Sequence, residues 1–171
     1  MKMLLVVLSL LAVGFAQSAD LFYKKNLSLH VIHDVDQGKK ESVLLDTSVG
    51  DYIADAGAVL YVKGQTLYLI HNTRDSKPMS LGSGITGFDL NGGLIAYIKG
   101  ESLYVRRVSD AATVSARQVA NSEGVSSMDV AGGVIVFLKN MTTLYRVTDI
   151  GSGTSERVIY PVGEVQASGQ Q

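Results

Sequence analysis

The chain contains no cysteine. That removes structural disulfides, thiolate metal sites, a thiol nucleophile and a lipid-modified thiol from consideration. Basic residues form neither a run nor an excess, with fifteen Lys and Arg against sixteen Asp and Glu. A formal charge of −1 lacks the electrostatic footprint of a nucleic-acid binder and disfavours an anionic membrane surface. The motifs of several catalytic classes are missing too. There is no Gly-x-Ser-x-Gly elbow, no His-Glu-x-x-His and no phosphate-cradling glycine loop followed by a lysine and a hydroxyl.

Only the N-terminus has a long apolar stretch. Lys2 forms a basic n-region, Met3 to Val13 an apolar h-region, and Gly14 to Ala19 a small-residue stretch suited to signal peptidase. The h-region is shorter than the ~20 residues a spanning helix needs, which favours a cleaved leader over an anchor. Cleavage after Ala16 and after Ala19 both fit, and residues 1–19 are assigned to the signal peptide. Removing Lys2 leaves fourteen basic residues against sixteen acidic ones, a net charge of −2. The remaining residues, 171 less 19, are enough to bury about 70% of their unfolded surface. Without disulfides, that core alone holds an exported domain together. The expected location is periplasmic or secreted.

What the chain does have is a phrase repeated four times. It runs from Tyr23 to Val31, Tyr61 to Leu69, Tyr97 to Val105 and Phe137 to Arg146, the last copy carrying one extra residue. The leading aromatics lie 38, 36 and 40 residues apart, so each phrase marks one unit of a repeat array. Within a unit, β-branched and aromatic residues fall into short strands, and no helical spacing is present. Strands are expected at Val49–Ala54, Ala58–Val62, Thr66–Ile70 and Pro78–Leu81. The next unit places them at Ile85–Leu90, Leu94–Ile98, Ser102–Val108 and Ala116–Ala120. The last places them at Val125–Val130, Val134–Leu138, Thr143–Val147 and Arg157–Tyr160.

The second strand of each full unit is apolar without alternation: AVLYV, LIAYI and VIVFL. A sheet with one wet face would alternate, so these strands are expected to be covered on both faces. Four-stranded antiparallel sheets stacked around an axis meet that demand. A linear β-solenoid also repeats, but its coils are shorter and lack the paired-hairpin rhythm. On the aromatic-x-Lys-Gly/Asn hairpins and the following Leu29, Leu67, Leu103 and Leu144, the chain resembles the β-propeller superfamily. Trp-Asp, Asp-box and Kelch signatures are missing, and there is no tryptophan, so no functional residue follows from the resemblance.

The expected architecture is therefore all-β, a small propeller of about four blades over residues 20–171. Blade 1 takes residues 20–48 plus 162–171, blade 2 residues 49–84, blade 3 residues 85–124 and blade 4 residues 125–161. Val162 to Gly169 matches the pattern of Val49 to Asp55, so the C-terminus is expected to supply the strand that the first unit lacks. Such closure would remove an exposed edge. A dimer completing an eight-bladed ring is the competing assembly.

Repeat registry makes rings of equivalent side chains. Lys25, Lys63, Lys99 and Lys139 can form a basic collar for an anion or simply guard the hairpin tips from sticking. Asp89 and Asp129 are equivalent on the presumed inner strands; Asp51 and Glu164 form a second pair two positions earlier. Carboxylates there can hold a hard cation, or cap backbone amides. His33 and His71 are equivalent, with Arg107 in the third unit, and lack the third ligand zinc needs. Tyr68, Tyr104 and Tyr145 follow the repeat leucine and offer rings to a sugar or peptide, or to packing between blades. Gly82-Ser-Gly84 and Gly151-Ser-Gly153 read as connectors between blades. Asn26-Leu-Ser28 and Asn140-Met-Thr142 are glycosylation sequons at turns.

Three function classes follow. The first is a non-enzymatic scaffold recognising an envelope or extracellular protein, or a glycan, with Tyr68, Tyr104, Tyr145, Asp89 and Asp129 as candidate ligand residues. No cofactor, metal or nucleic acid is expected. The second is a polysaccharide hydrolase or lyase using Asp89 and Asp129 as its acid pair. The third is a structural subunit that completes a larger ring as a homodimer.

Overall fold

The computed structural model describes residues 19–55, 57–75, 77–110 and 115–158. The leader and the C-terminal strand read at Val162–Gly169 lie outside these residues. Among the described residues, fifteen strands form one three-stranded and three four-stranded antiparallel sheets, each in simple chain order. Blade 1 comprises β1 (Leu21–Lys25), β2 (Ser28–Ile32) and β3 (Ser42–Asp46). In blade 2, β4 (Val49–Asp55), β5 (Ala58–Lys63), β6 (Thr66–Ile70) and β7 (Met79–Ser83) run from inner to outer edge. Blade 3 repeats this with β8 (Ile85–Asn91), β9 (Leu94–Lys99), β10 (Ser102–Arg107) and β11 (Arg117–Gln118). Blade 4 has β12 (Val125–Ala131), β13 (Val134–Lys139), β14 (Thr143–Asp149) and β15 (Thr154–Arg157). The architecture is the expected all-β propeller of four blades.

The turns follow from the residues that make them. Lys63 pairs with Thr66 around Gly64, whose φ is 63°, as a hairpin opening on glycine requires. Blade 1 closes the same hairpin with Asn26 and Leu27 at φ 50° and 63°. Asparagine tolerates that region; leucine adopts it at a cost.

Stacking explains the non-alternating strands. Along β5, Val59 and Tyr61 pack toward blade 1 with Leu29, while Ala58 and Leu60 pack toward blade 3 with Leu90, Ile95 and Tyr97. Along β9, Leu94, Ala96 and Ile98 turn the other way, onto Ile135 and Phe137 of blade 4. The side chains do alternate, but both sides are core, so every position is apolar. Each fully buried large side chain contributes roughly 1.5–3 kcal/mol relative to exposure.

Two expectations need correction. The outer strand of blade 4 is Thr154–Arg157 rather than Arg157–Tyr160. Thr154 to Arg157 is the stretch that pairs with β14, from Asp149 to Tyr145. Gly151-Ser-Gly153 consequently lies inside blade 4, in the β14–β15 turn, and is not a connector between blades. There Gly153 donates its amide to Asp149, and its carbonyl accepts the amide of Ala120 in blade 3. A Cβ at Gly153 would lie 2.6 Å from the Gln118 carbonyl oxygen, and φ is 73°, so close approach and backbone shape both demand glycine. Gly84, by contrast, does link blades 2 and 3.

Candidate binding site

The equivalent tyrosines do not converge. Tyr68 stacks on Tyr61 with ring centroids 5.6 Å apart, Tyr104 on Tyr97 at 5.5 Å, and Tyr145 on Phe137 at 5.2 Å. In blade 1, His30 takes the same place and stacks on Tyr23 at 5.1 Å. Cross-strand pairing puts the two rings on one face of each blade, where they plug the preceding blade. All three tyrosines are half-buried, and each has one ring face already covered.

Asp89 is committed to the backbone. One of its carboxylate oxygens accepts the Leu90 amide at 2.8 Å, and the other accepts the Val130 amide of blade 4 at 2.7 Å. The carboxylate therefore joins two blades. Asp129 is exposed and shows no such bond. Asp51 lies in a cleft of about 550 Å³ between β4 and β8, with Tyr52, Ile53, Thr86 and Phe88. Glu164 lies outside the described residues. Among the described residues, no group of three or more His, Asp or Glu is placed to hold a metal ion, and no helix is long and apolar enough to cross a membrane.

Three of the four turn lysines reach backward by one blade. Lys63 donates to Asp46 of blade 1 at 2.7 Å, and Lys139 to the Asn121 carbonyl of blade 3 at 2.9 Å. Lys99 Nζ lies beside Gly82 of blade 2. Asp46 also accepts Tyr61 Oη at 2.7 Å. Burial alone would raise the Asp46 carboxyl, but hydrogen bonds from Lys63, Tyr61 and the Thr47 amide hold it below the ordinary 3.8. Tyr61 is pushed up, first by burial and then by Asp46. The same contact thus seals a junction and fixes two protonation states.

A polar constellation absent from the repeat lies where the β2–β3 loop meets blade 2. His33 Nδ1 lies 2.9 Å from Asp20 Oδ2, and Lys39 Nζ lies 2.7 Å from Asp34 Oδ2. Arg74, from the β6–β7 loop, bridges both carboxylates, at 3.0 Å to Asp20 and 2.7 Å to Asp34. Its hydrogen bond to Asp34 leads the effects that hold the guanidinium above its usual range. Asp34 is buried and adopts φ 54°, a left-handed turn that aims its carboxylate at these cations. The network borders a cleft of about 510 Å³ lined by His33, Lys39, Lys40, Glu41, Val43 and Arg74.

Sequence reasoning placed His33 as a loop-end histidine and missed its partners. Asp20, Asp34 and Arg74 have no counterparts at equivalent positions, so repeat registry is silent about them. The available signal was loop length: the β2–β3 connection spans residues 33–41 and the β6–β7 connection residues 71–78, the longest in blades 1 and 2. The β10–β11 and β14–β15 connections leave the sheets at the same edge. A smaller cleft of about 80 Å³, lined by Arg106, Arg107, Asp110 and Arg117, opens beside them.

No family model matches the sequence, and no curated protein matches it. Solved structures do. Hsv2 of Kluyveromyces lactis with a complete loop 6CD superposes at a TM-score of 0.53 and 17% identity, over 76% of this chain and 43% of its own. Another structure of Kluyveromyces lactis Hsv2 gives 0.51 at 11% identity, over 81% and 46%. Both are β-propellers, and the likeness is one of fold. The chain spans less than half the length of the structures it matches.

Proposed function

We propose that this chain is an exported, non-enzymatic propeller that recognises another protein of the envelope or extracellular space. The contact surface is the loop rim of blades 1 and 2. The observation that carries this reading is the Asp20–His33–Asp34–Arg74–Lys39 network, which holds two long loops in one shape around a charged cleft. Preorganised polar loops on a stiff scaffold lower the ordering cost of association. Lys40 and Glu41 remain exposed at the cleft, offering both signs of charge to a complementary surface. The leader pattern at residues 1–19 supports export.

A glycan is the second ligand class, and it draws less support, because the tyrosine rings that would stack on sugar already stack within their blades. The enzymatic alternative also draws little, since both Asp89 oxygens accept backbone amides. The test is affinity capture from the source organism's envelope extract on immobilised mature chain. Wild type is expected to retain a protein partner, and Lys40→Glu with Glu41→Lys to retain at least tenfold less. Equal retention by both forms, or retention by neither, overturns the reading.

A further inference from the structure

We propose that two copies of this chain join head to tail into one closed ring of eight blades, blade 4 of each receiving blade 1 of the other. Every junction inside the chain obeys one rule. The first, third and fifth residues of the central strand face the next blade, and the second and fourth face the previous one. Leu94 of blade 3 is covered by blade 4 and is 4% exposed; Val134, its equivalent in blade 4, is 40% exposed. Val59, Ile95 and Ile135 each plug a preceding blade and are at most 1% exposed, whereas the equivalent Leu21 is 50% exposed. The two ends thus carry the two halves of a junction, unmated.

The polar contacts repeat the asymmetry. At the blade 3–blade 4 junction Asp89 accepts the next blade's Val130 amide, and Lys139 reaches back to Asn121. Asp129 and Lys25, the equivalents at the two ends, are exposed and show neither contact. A face built like the interior junctions is chemically suited to another blade of this same sequence, because apolar strip, aromatic plug, carboxylate and lysine are all in matching register. Leu21 and Val134 are both open in the single chain, and four further blades of this sequence carry the matching half for each. A twofold axis supplies them and makes both new junctions identical.

The proposal is independent of the rim reading, whose loops lie at the edge of the blades. Light scattering on the mature chain at tens of micromolar should give twice the mass of one chain. Val136→Asp, on the face turned away from blade 3, should halve that mass while leaving the circular dichroism spectrum unchanged. Since the chain has no cysteine, Leu27→Cys with Met141→Cys introduces one thiol at each end, on hairpin tips that stay in solvent at the interior blades too. A bis-maleimide linker should then yield a covalent dimer on a denaturing gel. A single-chain mass for wild type, a dimeric Val136→Asp, a cross-link within one chain or an open polymer would each overturn the ring. A monomer that still captures its protein partner would overturn the ring alone and leave the rim reading standing.

Discussion

Blades 3 and 4 share one strand plan, yet their outward faces meet different surroundings. Leu94, Ala96, Ile98 and Leu103 are sealed beneath blade 4. Val134, Val136, Leu138 and Leu144 occupy the same lattice positions and remain partly or wholly open. The residue types are equally apolar on both faces. Sequence in such an array therefore encodes a readiness to stack, and the neighbour decides whether that readiness becomes stability.

Truncation should separate the two faces most sharply. Phe137→Ala empties a position that is 1% exposed between blades 3 and 4 and should cost about 3–5 kcal/mol in denaturant unfolding. That loss should not depend on protein concentration. Val134→Ala should cost far less in dilute solution, and its effect should grow with concentration as the end face becomes covered. Equal, concentration-independent losses at both positions would break the distinction.

The two aspartates make a finer version of the same comparison. Asp89→Ala strands the Val130 amide at a buried residue and should cost about 2 kcal/mol. Asp129→Ala in dilute protein should leave the unfolding midpoint in place. Gly153→Ala probes the junction from the other side: strain at φ 73° and contact with the Gln118 carbonyl should lower stability by about 1–2 kcal/mol. The smallest effect should come with pH. The Asp46 carboxyl is depressed in the folded state, so its stabilisation is fully present above 3.8 and is lost as pH falls through the folded value. Thermal midpoints measured from pH 5 down to pH 2.5 should fall less steeply for Asp46→Asn than for wild type.

Much of the fold was legible because the repeat and the strand period reinforce each other. The AVLYV, LIAYI and VIVFL runs announced two covered faces, and the faces proved to belong to different neighbours. Gly64 and Asn26 announced hairpins and made them. The outer strand of blade 4 was misplaced because Thr154 to Arg157 is polar and bears no packing signature; its position is set by pairing with β14. Among the candidate site residues, pattern placed Tyr68, Tyr104, Tyr145, Asp89 and Asp129 in their blades and offered packing and amide capping beside ligand binding; tertiary contact shows the tyrosine rings and the Asp89 carboxylate engaged in that way. The Asp20–His33–Asp34–Arg74 network was hidden from the repeat pattern. Asp20, Asp34 and Arg74 belong to no ring of equivalents, and only tertiary contact between loops brings them to His33.

The backward reach of Lys63 and Lys139 gives the array a direction in time. A polypeptide is made from its N-terminus, so Asp46 exists before Lys63 emerges, and the Asn121 carbonyl before Lys139. Blades 2 and 4 each find that acceptor already made on the blade before, whereas Lys24 and Asp34 of blade 1 wait for Gly50 and Arg74 of blade 2. Growth by successive docking follows, like courses of brick laid on those below.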